Sequence, residues 1–217
     1  MILQYAHDSA RALLQALRTV RSQRQARRGV LTDEEQDLLR AMLVMAASGL
    51  DSVVKQLIRD ALPILCRGDS RVLSRFQTYV ARQVRGDAEG HVTNDVSKLL
   101  ARVLTADSPQ AALIESYVYA LTGSSLQSVD ELFKVASALD VPQNVIAKDT
   151  LVSIFEARND IIHELDIDFD APRRNRRNRR IPWMIQSANE LLLLAERFYA
   201  ECERKMNEVQ PVDPSNQ

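Results

Sequence analysis

Ala41-Met42-Leu43-Val44-Met45-Ala46-Ala47-Ser48-Gly49-Leu50 contains no charged residue, and its reading decides the fold. Thr32 can cap a helix that begins at about residue 33, and Pro63 is expected to stop it near residue 62. Coiled as a helix, the quoted run is apolar on all sides. A helix with no polar face must be surrounded by protein, so this one is read as the central element of the fold. A glycine inside a helix costs about 1 kcal/mol relative to alanine. Gly49 therefore predicts the close approach of a neighbouring backbone. The run itself is too short to span a bilayer, and no membrane partner is expected.

The flanking sequence repeats the helical signal. Leu3, Ala6, Ala10, Leu13, Leu17 and Val20 recur three and four apart and predict a first helix over about 2–27, ending near Gly29. Asp69 or Ser70 starts a helix to about 85, with Val72, Leu73, Phe76, Val80 and Val84 on its core face. A loop with Gly86, Gly90 and His91 follows, then short helices at about 93–105 and 109–121, the second with Ser108 as cap and Pro109 in its first turn. Ser128-Val129-Asp130-Glu131 is a capping box that opens a helix to Leu139. Another helix covers about 145–165. The last opens at Pro182 and runs to about 208, with Ile185, Ala188, Leu192, Ala195, Tyr199, Cys202 and Met206 as a bundle seam. There is no internal repeat and no strand-like alternation. The prediction is an all-α helical bundle in one domain, 1–208, with long first, second and last helices and shorter ones inserted between them. A disordered tail is expected over 209–217.

Composition agrees. The 217 residues are 46% hydrophobic with only 6 Gly and 7 Pro, a balance that suits helices better than a turn-rich sheet. The net charge of −1 points to no partner, but the arginines are clustered. Cys66 and Cys202 form no CxxC, and with His7, His91 and His163 they give no zinc spacing. Neither a metal nor a cofactor is expected, and two separate cysteines fit a reducing, cytoplasmic location. Residues 1–28 hold Arg11, Arg18, Arg21, Arg24, Arg27 and Arg28 against one acid, Asp8. Such a start can be an organelle transit peptide. Its apolar spacing reads instead as a bundle helix with a basic polar face. No secretory signal is visible.

Phe155-Glu156-Ala157-Arg158-Asn159-Asp160-Ile161-Ile162-His163-Glu164 holds the residues best suited to chemistry. Leu151, Ile154, Phe155, Ile161, Ile162 and Leu165 form one apolar stripe of its helix, with Arg158 in the middle. Asn159 and His163 are neighbours at i and i+4. Arg158 and His163, five apart, point about 140° from each other on a straight helix. Burying a guanidinium unpaired costs several kcal/mol, so Arg158 needs a carboxylate, a cleft or a subunit boundary. Asp51, just beyond the central run, is the supporting residue singled out for it. An Arg158–Asp51 pair that merely fixes bundle register is the structural alternative.

The order Arg158-Asn159-x-x-x-His163 at the end of an apolar helix resembles the Arg-(four residues)-His signature of the HEPN superfamily of small all-helical proteins, many of them metal-independent endoribonucleases. The outline of the chain over 1–208 is similar too, while specific identity is confined to 158–163. The resemblance implies a bundle of HEPN type and a homodimer in which two copies of the motif face each other across a two-fold axis. That arrangement answers the 140° problem, because two helices meeting at an axis can line one cleft. It implies RNA as substrate and transesterification as the reaction. The 2′-hydroxyl attacks the adjacent phosphate, a 2′,3′-cyclic phosphate forms and the 5′ oxygen leaves. Imidazole, with a pKa of about 6.5 in general, can serve as base or acid at neutral pH. His163 would fill that role, Arg158 would hold the phosphate, and Asn159 would orient His163 or touch the phosphate. Cellular defence or toxicity is the implied biology, with an antitoxin or regulatory protein as a possible partner. The competing reading is an inactive HEPN module that binds RNA, a nucleotide or a partner protein.

Two basic features bear on this. Arg173, Arg174, Arg176, Arg177, Arg179 and Arg180 crowd between the motif and the last helix. With like charges and no apolar face, residues 171–181 are read as a mobile loop. The loop is either a clamp on the RNA backbone or a solvated linker that docks an acidic partner. Arg71, Arg75, Arg82 and Arg85 fall in one stripe of the third helix, either a solvated face or a track for RNA phosphates. Asp160, Glu164, Asp166, Asp168 and Asp170 are acidic neighbours of the motif and a weak signal for two metal ions.

Overall fold

A computed structural model of the chain describes residues 1–24, 30–85 and 94–209. Among the described residues there are eight α-helices, one 3₁₀ turn over Gln143–Val145 and no strand, so the all-α class is the observed one. The helices are α1 (Ile2–Gln23), α2 (Asp33–Gly68), α3 (Ser70–Val84), α4 (Asn94–Leu104), α5 (Pro109–Thr122), α6 (Val129–Ala138), α7 (Lys148–Glu164) and α8 (Ile181–Val209). The expected loop at Gly86, Gly90 and His91, the end of the first helix near Gly29 and the tail over 210–217 lie outside the described residues, while Val209, expected in that tail, is the last residue of α8.

The chain divides into two compact units. The first contains 1–54, 127–129 and 144–198, and the second contains 55–126, 130–143 and 199–217.

In the first unit, Thr32 caps α2 reciprocally. The Glu35 N–H donates to Thr32 Oγ1 at 3.3 Å, and the Thr32 N–H donates to Glu35 Oε2 at 3.0 Å. Glu35, fully buried, also faces Arg21 at 3.4 Å and Arg24 at 3.7 Å, so two arginines of the basic α1 face end on one acid. Leu43, Ala46, Ala47 and Leu50 have no exposure, as a central helix requires, but Met45 is 41% exposed. The run is therefore not enclosed on every side. A Cβ built on Gly49 would lie 2.4 Å from the Cβ of Ala6, which is the close approach that its sequence position predicts. Ala6, Ala10 and Leu17 form the buried side of α1.

In the second unit, Pro63 does not stop α2, which continues to Gly68. Proline removes one backbone hydrogen bond and crowds the preceding turn. Here Leu62, Leu65 and Cys66 on either side of it are all fully buried, and their burial outweighs that local loss. Gly68 then lets Val209 of α8 pack where a Cβ would collide with it. Asp69 caps α3 by accepting from the Arg71 and Val72 N–H groups. Val72 and Phe76 are buried as expected, while Val84 is 42% exposed. Both cysteines are free and buried, and burial pushes the Cys66 thiol up to about 11 and that of Cys202 up to about 12.

The seam expected on α8 is off by one position in part. Ala188, Leu192, Ala195 and Cys202 are buried, but Tyr199 is 47% exposed and Phe198 is fully buried in its stead. By length and composition, α2 is apolar enough to cross a membrane, and 56% of its most apolar window is buried inside the protein.

Candidate functional site

Helix α7 begins after the 3₁₀ turn and buries Leu151, Ile154, Phe155 and Ala157. The apolar stripe is covered only over this first half. Ile162 is 39% exposed, Leu165 66%, and Phe169 just beyond the helix 52%. Arg158 sits at the border between covered and uncovered halves. Its side chain is half-buried, its Nε has no hydrogen-bond partner, and its Nη1 donates to Asn159 Oδ1 at 2.9 Å. Burial lowers the Arg158 pKa from its ordinary value, and the charge of Asp51 opposes that shift. Asp51 thus acts on Arg158 electrostatically, while no ion pair joins Arg158 to a carboxylate among the described residues. Asn159 is exposed and is engaged with the arginine, not with the histidine. His163 is exposed in the last turn of α7 and has no hydrogen-bond partner among the described residues.

The end of α7 is held by an unusual turn. Leu165 and Asp166 both adopt positive φ, 54° and 60°, and the Asp166 N–H closes back on the Asp160 carbonyl at 2.9 Å. Non-glycine residues in this region cost about 1 kcal/mol or more each. What sustains the turn is Asp166 itself, whose side chain is fully buried between two arginines. Arg40 donates from Nε to Asp166 Oδ2 at 2.8 Å, and Arg179 donates from Nη2 to Oδ1 at 2.6 Å. Arg40 reaches further, to the Arg177 carbonyl at 2.9 Å and to Asp37 at 3.0 Å. Gln36 clamps the backbone of Arg179, donating to its carbonyl at 3.1 Å and accepting from its N–H at 3.0 Å.

This network changes the reading of the basic segment. Residues 171–180 do form a loop without helix, as predicted, but the loop is pinned. Ile167 and Arg176 form an antiparallel bridge, and the Arg177 N–H donates to the Asp166 carbonyl at 2.7 Å. Arg176 pairs with Asp37 at 2.7 Å, Arg177 with Asp160 at 3.1 Å, and Arg179 with both Asp166 and Asp160. Burial disfavours the Arg179 cation, but hydrogen bonds and charge from Asp166 and Asp160 raise its pKa above the ordinary value. Three of the six loop arginines are therefore committed internally. Arg173, Arg174 and Arg180 are exposed and make no ion pair among the described residues.

Arg71, Arg75 and Arg82 belong to the second unit. Arg75 pairs with Asp140 at 2.8 Å and Arg71 lies 3.7 Å from the same carboxylate, so the stripe is partly neutralised. Lys205, nearly buried, joins that acid at 2.7 Å and Asp69 at 3.2 Å. Arg82 makes no ion pair among the described residues.

Sequence reasoning missed Arg40, Asp166 and Gln36 as the anchor of the motif. One signal was available: Arg40 directly precedes the uncharged run of α2, and a cation at the edge of a buried helix demands an acid. The acids around His163 read as a cluster, but Asp160, Asp166 and Asp168 face arginines. Among the described residues, no three of His, Cys, Asp and Glu are grouped to hold a metal ion. Comparison with known protein families, with curated proteins and with solved structures found no match.

Proposed function

We propose that the chain is a HEPN-type protein that cleaves RNA as a metal-independent endoribonuclease, at a composite site formed by two copies. One observation carries this reading. A half-buried arginine whose Nε has no hydrogen-bond partner, braced by its neighbouring Asn159, precedes by five residues an exposed histidine at the end of the same helix, neither the Nε nor the histidine having a partner among the described residues. A guanidinium serving only to fix register would be expected to make a direct ion pair, as Arg40 and Arg179 do with Asp166. An arginine without one retains donors for a phosphate, and its planar fork suits that anion.

In this reading Arg158 holds the scissile phosphate and stabilises charge as the 2′ oxygen bonds to phosphorus and the bond to the 5′ oxygen breaks. The histidines of the two copies exchange protons with the reacting oxygens: one removes the 2′-hydroxyl proton and one protonates the 5′ oxygen. Asn159 fixes the angle of the guanidinium. Ile162, Leu165 and Phe169 supply the apolar surface at which the two copies meet. Arg173, Arg174 and Arg180 are the loop cations offered to the RNA backbone.

The test is cleavage of single-stranded RNA in excess EDTA by wild type and His163→Ala, both checked by circular dichroism. Cleavage by wild type that ends in a cyclic phosphate and disappears in a folded mutant supports the proposal. Absence of cleavage by wild type, or equal cleavage by both, removes the catalytic role of His163 and favours a non-catalytic binding module.

A further inference from the structure

The second unit holds a cleft that the proposed nuclease reaction does not use. It has a volume of about 490 Å³ and lies among α3, α5 and α6. Three cations line it, Arg75, Arg82 and Lys134, and no carboxylate lines it among the described residues. The opposite character is present in the same walls. Tyr79 and Tyr117 stack with ring centroids 4.4 Å apart and an interplanar angle of 25°, and Leu121 and Ala138 add aliphatic surface.

The groups are held in place before any ligand arrives. Tyr79 donates its hydroxyl to the Ser116 carbonyl at 3.2 Å. Tyr117 is nearly buried. Arg75 donates to the Ser137 carbonyl and pairs with Asp140, so its guanidinium is fixed at the rim and half-neutralised. Lys134 has only a loose pairing with Glu131, at 3.5 Å. Arg82 has no ion pair among the described residues, and with Arg75 it acts electrostatically on the Tyr117 hydroxyl. One cation held by an acid, one loosely paired and one without an ion pair among the described residues thus face a single apolar, aromatic wall.

We infer that this cleft binds a nucleoside polyphosphate, its phosphates between Arg82, Lys134 and Arg75 and its base against the Tyr79–Leu121 wall. Three cations exceed what a single monoanion requires, which favours a polyphosphate over a simple carboxylate. The aromatic and aliphatic wall gives a planar ring a surface that inorganic phosphate would leave unused. The volume falls in the range of small-molecule sites, and a cleft bounded by three helices suits a compact ligand better than an extended strand. The inference does not depend on the ribonuclease reading, since none of these residues belongs to α7 or its loop.

Isothermal titration calorimetry of the full chain with ATP, pyrophosphate, adenosine and a single-stranded RNA oligonucleotide tests it. ATP is expected to bind more tightly than either pyrophosphate or adenosine. Arg82→Ala and Lys134→Gln are each expected to weaken it about tenfold, the size of a lost charge-assisted hydrogen bond. Tyr79→Leu, which keeps the volume, is expected to weaken ATP and leave pyrophosphate unchanged. Circular dichroism of each variant confirms that it is folded. Equal affinity for ATP and pyrophosphate overturns the nucleoside assignment. Binding of RNA alone, sensitive to Arg82→Ala, makes the face an RNA track and overturns the proposal, as does ATP binding that none of the variants alters or no binding at all. None of these readouts measures RNA cleavage, so a failure here is distinct from a failure of the nuclease reading.

Discussion

Arg158 donates from Nη1 to the side-chain oxygen of Asn159, its immediate neighbour in sequence, at 2.9 Å. On a helix, consecutive side chains point about 100° apart. The contact therefore turns the guanidinium sideways, toward the exposed Asn159. In the proposed site this bond aims the arginine at the phosphate. Asn159→Ala is expected to reduce RNA cleavage about tenfold, since a hydrogen bond to a charged group contributes about 1.5–3 kcal/mol. Asn159→Asp is expected to reduce it further, because the new carboxylate neutralises Arg158 and competes with phosphate. Steady-state cleavage rates, with melting temperatures to show that both variants remain folded, check the expectation.

Asp166 separates stability from activity. It is fully buried and shared by Arg40 and Arg179, and its backbone closes the strained turn after His163. Removing one partner from a buried ion pair costs about 3–5 kcal/mol, because the other charges stay buried. Asp166→Ala is expected to lose that much in urea unfolding. His163→Ala, at an exposed position with no partner among the described residues, is expected to stay within about 0.5 kcal/mol of wild type. A large loss of stability in His163→Ala would count against a purely chemical role.

The second unit carries a pH dependence of its own. Burial disfavours the charged forms of Asp140 and Asp69, but contacts with Lys205 and Arg75 for Asp140, and with the Val72 N–H, Lys205 and the Arg71 N–H for Asp69, bring both below their ordinary value of 3.8. Lys205 is disfavoured by burial as well, and its two acids raise it above 10.5. A depressed carboxylate stabilises the fold above its unfolded pKa, and that contribution is lost as pH falls through the folded value. A raised lysine stabilises below its unfolded pKa, and that contribution is lost as pH rises through the folded value. The cluster is therefore complete across the neutral range. It weakens in acid below 3.8 and in alkali above 10.5. Lys205→Met is expected to lower the melting temperature at pH 7 and to shift acid unfolding to higher pH, since both carboxylates lose one of the charges that favour their ionised forms. Thermal melts from pH 3 to 8 read both effects.

Much of the fold was legible because its determinants are local. The cap at Thr32, the cap at Ser108 and the close approach at Gly49 each depend on residues within one or two turns, or on the absence of a side chain. Pro63 and Tyr199 were misread because the outcome there is decided by packing from elsewhere in the chain, not by propensity or spacing. At the candidate site, Arg158, Asn159 and His163 were singled out by their order along one helix. The basic segment was read as a mobile loop; it is a loop, but Arg176, Arg177 and Arg179 tie it to acids of the same unit. Their partners Asp37, Asp160 and Asp166 lie at separations that no periodicity reveals. Gly49→Ala tests the legible part directly: helix propensity alone predicts a gain of about 1 kcal/mol. The 2.4 Å approach to Ala6 predicts instead a net loss of about 1–3 kcal/mol from overpacking, measured by chemical denaturation.

The proposed pairing of two copies rests on the uncovered end of α7. Ile162, Leu165 and Phe169 are exposed within eight residues of one another, beside the arginine and histidine that would share a cleft. Leu165 offers the cleanest probe. Its φ of 54° is unfavourable for leucine, whereas aspartate tolerates that region better. Leu165→Asp is thus expected to leave the monomer at least as stable while placing a charge in the apolar contact. Sedimentation velocity should show wild type as a dimer and Leu165→Asp as a monomer. Cleavage should fall with the loss of the dimer and return partially at high protein concentration, as mass action requires. A monomeric wild type that still cleaves RNA would mean that Arg158 and His163 act within one chain, and the helix would then have to bend to bring them together.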